Sequence, residues 1–160
     1  MQKLIAALLV SITFFIAGCS SGEDISLATL KENHPESFGK PVEDSLTKEE
    51  QEALGLPAEL PFNLESVEAS AEEHEVEVDY MSKDADRLTV TTVYNPENNL
   101  QEADTRMTLD SGAIAGVTER DASVFFEWYD DEENVIYQMA YSPMDDDNRL
   151  EDALEIANSI

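Results

Sequence analysis

The chain has 160 residues, of which 36 are aspartate or glutamate and nine are lysine or arginine, so its formal net charge at neutral pH is −27. A surface this acidic repels phosphate backbones, and we therefore expect no nucleic-acid partner. With one cysteine, the chain cannot form an internal disulfide. Because like charges destabilise a compact chain unless salt screens them, the composition favours a saline or alkaline medium. An ordinary acidic protein is the alternative.

The first 18 residues have the pattern of an export signal. Lys3 precedes an apolar run over residues 4–17, which is shorter than the roughly 20 residues that a membrane-spanning helix needs. The run leads into Ile16-Ala17-Gly18-Cys19, which resembles the lipobox of bacterial lipoproteins. This resemblance implies cleavage between Gly18 and Cys19 and attachment of lipid to the Cys19 thiol. An ordinary signal peptide with a chance cysteine, or an uncleaved helical anchor, is the alternative.

The lipobox resemblance also implies a location. Two or more acyl chains on one cysteine, such as diacylglycerol with palmitate, hold a protein durably at a membrane. We therefore expect a lipoprotein on the extracytoplasmic face of the cell membrane, with the membrane as a partner through Cys19.

Residues 19–45 are predicted to be a flexible, acidic linker between the lipid and the folded domain. They mix small and charged residues with Pro35, Gly39 and Pro41. No helical or strand period is sustained over this stretch.

A single folded domain is predicted over residues 46–160, a length that supports one hydrophobic core. It begins with a short helix, in which Thr47 and Glu50 form a capping box and Gly55 is the terminating residue. Further along the chain, apolar and polar residues alternate in short runs. These runs predict strands over residues 64–71, 76–80, 88–94, 106–109, 113–118, 124–129 and 135–141.

The C-terminal segment predicts a helix with one apolar stripe, begun by Asp147 or Asn148 as the capping residue. The stripe consists of Leu150, Ala153, Leu154, Ala157 and Ile160. Together, the elements predict an α+β fold: an antiparallel sheet of six or seven strands covered by a C-terminal helix and preceded by a signal helix and a flexible tether.

Features of the last 100 or so residues also carry a resemblance to a protein family. They are a Leu-Pro-Phe entry, a glycine turn, a tryptophan strand followed by a tyrosine strand, and the closing helix, represented by Pro61, Phe62, Gly112, Trp128, Tyr137 and residues 154–160. They resemble an uncharacterised domain of Gram-positive lipoproteins, itself similar to the half-barrel of periplasmic lipoprotein carriers and of a periplasmic stress sensor. The resemblance implies a curved half-barrel that holds an acyl chain or a peptide.

No residue pattern predicts catalysis or a cofactor. Only two histidines are present, His34 and His74, and they are too scattered in the sequence to predict a zinc site. No phosphate-binding or hydrolase motif occurs. The remaining candidates for a divalent cation, with a solvated loop as the alternative, are Asp130, Asp131, Glu132 and Glu133.

An apolar layer is the remaining feature, and it is either core or a partly open groove for an apolar ligand. Its residues are Val78, Tyr80, Val90, Phe126, Trp128, Tyr137, Met139, Tyr141 and Leu154. We therefore expect a non-enzymatic binding or accessory module for an apolar ligand or a protein partner. The alternatives are an envelope sensor or regulator that partners an integral membrane protein, and a hydrolase that uses carboxylates.

Overall fold

The computed structural model describes residues 25–97, 100–145 and 147–160. In chain order its elements are α1 (Leu27–Asn33), a π-helical turn (Pro35–Gly39), α2 (Lys40–Ser45), α3 (Lys48–Glu52), β1 (Leu64–Glu72), β2 (Glu75–Ser82), β3 (Arg87–Tyr94), β4 (Thr105–Thr108), β5 (Ile114–Arg120), β6 (Ser123–Asp130), β7 (Val135–Ser142) and α4 (Arg149–Ser159). Within these ranges, no helix is long and apolar enough to cross a bilayer. The predicted signal segment with Gly18 and Cys19 lies outside the described residues.

The strands form one antiparallel sheet of seven, in the order β1-β2-β3-β7-β6-β5-β4. The predicted α+β fold, with its antiparallel sheet and C-terminal helix, is confirmed. The sheet is open, because β1 and β4 lie at opposite edges and do not pair with each other. Gly112 has a φ of 90° in the turn between β4 and β5, a conformation that glycine adopts without steric cost.

One face of the sheet, called the inner face below, carries the hydrophobic core. The strand registers place Val78, Val90, Met139, Phe126 and Val117 side by side across five strands. All five are buried. Since side chains alternate between the two faces of a strand, the polar residues between them lie on the opposite, outer face.

The segment that precedes the sheet is part of the fold, so the prediction of a flexible linker is wrong for residues 25–45. Ile25, Leu30, Phe38 and Val42 are buried and belong to the same core cluster as the inner face. The Ser37 hydroxyl donates a hydrogen bond of 2.7 Å to the carbonyl of Val67 on β1. The folded domain therefore includes these residues and does not begin at residue 46.

The first predicted helix is confirmed in its start but not in its end. Thr47 and Glu50 form the predicted capping box of α3. Gly55, however, does not end the helix, which stops at Glu52 with Ala53 as its C-cap. Gly55 is instead needed for close packing, since a β-carbon there would lie 2.7 Å from the ring of Tyr137.

Helix α4 packs against β6 and β7, and the predicted stripe is confirmed in part. Its buried residues are Ala153, Ile156 and Ala157, whereas Leu150 and Leu154 are only half-buried. Asn148 occupies the N-cap position, as predicted, although its side chain makes no capping hydrogen bond. Ala153 and Ala157 of the predicted stripe thus face the core together with Ile156, and the two leucines lie at the margin of this packed face.

The connection between β3 and β4 passes three strands to reach the far edge of the sheet. Its last part, residues 100–104, is called the strap below. The backbone N–H of Gln101 donates to the Glu127 carboxylate on β6, and Ala103 lies against Gly116 on β5. Glu127 and Gly116 lie on the outer face of the sheet, so the strap covers part of that face.

Candidate functional site

The predicted apolar layer is mostly interior. Of its nine residues, eight are buried on the inner face: Val78, Tyr80, Val90, Phe126, Trp128, Tyr137, Met139 and Tyr141. The rings of Trp128 and Tyr137 lie 5.4 Å apart and tilted by 43°, an arrangement typical of packed aromatic pairs. These eight residues therefore form the core rather than an open groove, and only Leu154 remains half-buried.

The core tyrosines are kept protonated by burial. Burial, followed by the nearby acidic residues, raises the pKa of Tyr137 and of Tyr141 to about 12. Burial also raises the pKa of Tyr80 and that of Tyr94. The hydroxyls of Tyr94 and Tyr137 donate to the carbonyls of Glu50 and Ala53, at 2.8 and 3.0 Å. They attach helix α3 and its flanking residue to the sheet.

An apolar groove does exist, between α4 and the strands β4 and β5. Its cavity has a volume of about 450 Å³, and Met107, Leu150 and Leu154 supply its half-buried apolar wall. This volume lies within the range of about 300–1,000 Å³ that is typical of small-molecule sites. The predicted residue Leu154 therefore lines a groove, though at a different place in the fold from the other eight.

The rim of this α4 groove is acidic. Glu119, Asp147 and Glu151 are exposed around it, and Arg149 is the cation among its lining residues. The Arg149 guanidinium already lies 4.0 Å from Glu119 and donates to the carbonyl of Asp121 at 3.1 Å. The groove therefore combines an apolar wall with a negative rim.

Hydrogen bonds at both ends of α4 fix the helix that forms one side of the groove. At its start, Arg149 binds the turn between β5 and β6. Near its end, the N–H of Asp110 donates to the Asn158 side chain at 2.9 Å, and the N–H of Ala58 donates to the carbonyl of Ser159 at 3.3 Å. Leu150 and Leu154 lie between these two attachments, which fix the position of the helical side of the groove.

The acidic loop between β6 and β7 serves as a turn. One oxygen of Asp130 accepts hydrogen bonds from the backbone N–H groups of Glu132 and Glu133, at 2.9 and 3.2 Å. In the part of the chain that the structure describes, no three carboxylate, histidine or cysteine side chains are grouped so that they could hold a metal ion. The structure thus does not assemble the predicted candidates into a cation site.

Two parts of the surface were not predicted as sites. Met107 in the α4 groove belongs to a short edge strand, where alternation alone does not distinguish a groove wall from a solvated residue. Glu127 is the one acidic residue in the run from Val124 to Tyr129, and this is the signal by which the sequence could have identified it.

Comparison with known proteins finds no matching family model, and neither the curated proteins nor the solved structures contain a match.

Proposed function

We propose that this chain is a lipoprotein, anchored through Cys19 to the extracytoplasmic face of the cell membrane, and that its folded domain is a non-enzymatic binding module. The sequence Ile16-Ala17-Gly18-Cys19 after a short apolar run supports the anchor. Helix α2 and the π-helical turn contact β1, and Ile25 and Leu30 belong to the core cluster, so only the residues between Cys19 and Ile25 separate the lipid from the domain. In this arrangement the domain is held close to the membrane surface.

The observation that carries the binding role is the α4 groove. Apolar side chains of Met107, Leu150 and Leu154 line a cavity of a size suited to a small ligand, and covering them with an apolar group would remove their surface from water. The carboxylates of Glu119 and Glu151 at the rim disfavour a fatty acid anion. The ligand class that fits is therefore a neutral or cationic molecule with an apolar chain.

The anchor is tested by labelling cells with a radioactive fatty acid. We expect Cys19→Ala to lose the label and either leave the membrane fraction or remain as an uncleaved precursor. The matched control is Ser20→Ala, a change of similar size one residue later. Equal labelling of the Cys19→Ala variant and the parent would show that the lipobox interpretation is wrong.

The groove is tested with N-phenyl-1-naphthylamine, a neutral dye whose emission rises when it leaves water. Leu150→Trp places a large ring in the groove, and we expect it to abolish the dye signal without lowering the unfolding midpoint. The matched control is Met144→Trp, since Met144 is 68% exposed and lies outside the groove. Dye binding that survives Leu150→Trp unchanged would contradict a ligand in this groove while leaving the anchor unaffected.

A further inference from the structure

A second cavity lies on the outer face of the sheet, on the opposite side from α4. It has a volume of about 620 Å³ and lies beside the strap, and its lining includes Leu100, Arg106, Ile114 and Glu127. The strap can lie this close to the sheet because residue 116 is glycine, for a β-carbon there would approach the Ala103 methyl to 2.8 Å.

Glu127 in the wall of this cavity is a buried carboxylate, with 3% of its surface exposed. One oxygen accepts a hydrogen bond of 2.8 Å from the Gln138 side-chain amide, and the other accepts one of 2.5 Å from the backbone N–H of Gln101. Both donors are neutral. Among the described residues, no lysine, arginine or histidine nitrogen lies within ion-pair distance of this carboxylate.

A buried carboxylate without a cation is unusual, because desolvation of the charge is costly unless an opposite charge or a metal compensates it. Two accepted hydrogen bonds do not exhaust the two oxygens, which together offer about four acceptor sites. Glu127 therefore has capacity for a positively charged donor.

The apolar part of the cavity, unlike Glu127, is exposed. Leu100 is 49% exposed and Ile114 is 60% exposed, although both are large aliphatic residues. Both line this cavity, whose rim also carries one residue of each charge, Glu102 and Arg106. Since these two exposed charges offset each other, the buried charge of Glu127 determines which ligand is favoured.

We infer that this cavity binds a small organic cation, whose ammonium or guanidinium group pairs with Glu127 and whose short aliphatic part covers Leu100 and Ile114. Such a ligand supplies the missing opposite charge and removes the exposed aliphatic surface from water in one event. The site lies on the other face of the sheet from the α4 groove, so the inference does not depend on the proposed function.

The test uses the full chain in neutral detergent with 0.5 M NaCl, a background of about 4–5 Å Debye length that screens the acidic surface. The probe is n-butylammonium, and the reporter is the labelled δ1 methyl of Ile114, assigned by Ile114→Val. We expect a saturable shift of this signal with n-butylammonium and none with butyrate. Binding of 1-butanol, which has the same chain without the charge, should be weaker by at least about tenfold.

Glu127→Gln keeps the shape of the side chain, and we expect it to weaken n-butylammonium binding by at least about tenfold. Glu59→Gln removes a charge from an exposed residue outside the cavity, and we expect it to change binding by less than about twofold. Unchanged binding to the Glu127→Gln variant, or a shift with butyrate instead of n-butylammonium, overturns the inference. If the Glu127→Gln variant does not fold, the comparison of n-butylammonium with 1-butanol decides, and equal binding of the two overturns it.

Discussion

The two faces of the sheet are built in different ways. The inner face is a continuous set of apolar rows, such as the row from Val78 to Val117, and helix α4 packs on it. The outer face has no such rows. Its β5–β6 half is covered by the strap, and its β1–β2 half is acidic and exposed. The inner face is therefore stabilised by contacts among strands, whereas the outer face depends on one crossing segment and on solvent.

Cross-strand pairs on the outer face place acidic side chains next to each other. Glu68 lies opposite Asp79, and Glu72 lies opposite Glu75, so two pairs of like charges are directly adjacent. Arg87 binds Asp79 at 2.8 Å and offsets the first pair. The second pair is at the hairpin end, where Glu73 adds a further carboxylate. Like charges placed directly opposite each other destabilise a sheet.

The largest expected difference between the faces is measured by two neighbouring phenylalanines on β6. Phe126 is fully buried on the inner face, and Phe125 is half-buried on the outer face. Phe126→Ala removes a ring from a packed core, and we expect a loss of about 3–5 kcal/mol in the free energy of unfolding. Phe125→Ala is the matched control, with an expected loss of about 1–2 kcal/mol. Urea denaturation followed by Trp128 fluorescence measures both, and equal losses would contradict the asymmetry.

The residues of the inner face could be predicted from the sequence, because the alternation of apolar and polar residues is a local property of each strand. Alternation in each strand placed Val78, Val90, Phe126 and Met139 on one side, and the structure confirms this placement. The strap could not be predicted in the same way. Its contacts with Glu127 and Gly116 depend on the insertion of β7 between β3 and β6, which is a property of the topology and not of any one segment.

The helical segments show the limits of periodicity more clearly. Ile25, Leu30, Phe38 and Val42 are spread over several short elements separated by prolines, so no single helical period connects them. In α4, Ala153 and Ala157 are buried as the stripe predicted, but Ile156 outside the stripe is buried more fully than Leu150 and Leu154. The α4 groove follows from the position of these two leucines at the margin of the packed face, which the sequence did not specify.

Two glycines provide the next comparison. At Gly55 a β-carbon would lie 2.7 and 2.9 Å from two ring atoms of Tyr137, in the buried interior. We expect Gly55→Ala to cost about 1–3 kcal/mol, because the packed ring must move. At Gly116 the obstacle is Ala103 in the exposed strap, so we expect Gly116→Ala to cost less than about 1 kcal/mol. A larger cost at Gly116 than at Gly55 would show that the strap is the more rigid of the two.

Two tyrosines on the inner face differ in whether their buried hydroxyl groups are hydrogen-bonded. The Tyr137 hydroxyl donates to the Ala53 carbonyl at 3.0 Å, whereas the buried Tyr80 hydroxyl has no hydrogen-bond partner among the described residues. We expect Tyr137→Phe to cost about 1 kcal/mol, since it leaves a carbonyl without its donor. Tyr80→Phe removes only an unsatisfied group, so its expected effect is zero or a small gain in stability. Thermal denaturation measures both, and a loss from Tyr80→Phe similar to that from Tyr137→Phe would reveal an unrecognised partner.

The smallest expected effect concerns charge on the outer face. Glu72→Lys replaces a like-charged pair with Glu75 by an opposite pair, and we expect a gain of about 0.2–1 kcal/mol at low salt. Glu59→Lys changes the net charge equally at an exposed loop position with no cross-strand partner, so it separates the local pair from the general repulsion. In about 1 M NaCl, where the Debye length is roughly 3 Å, the difference between the two variants should vanish and the parent should become more stable. If the parent instead loses stability in salt, attraction between surface charges outweighs their repulsion, and the acidic half of the outer face is stabilised by ion pairs such as Arg87 with Asp79.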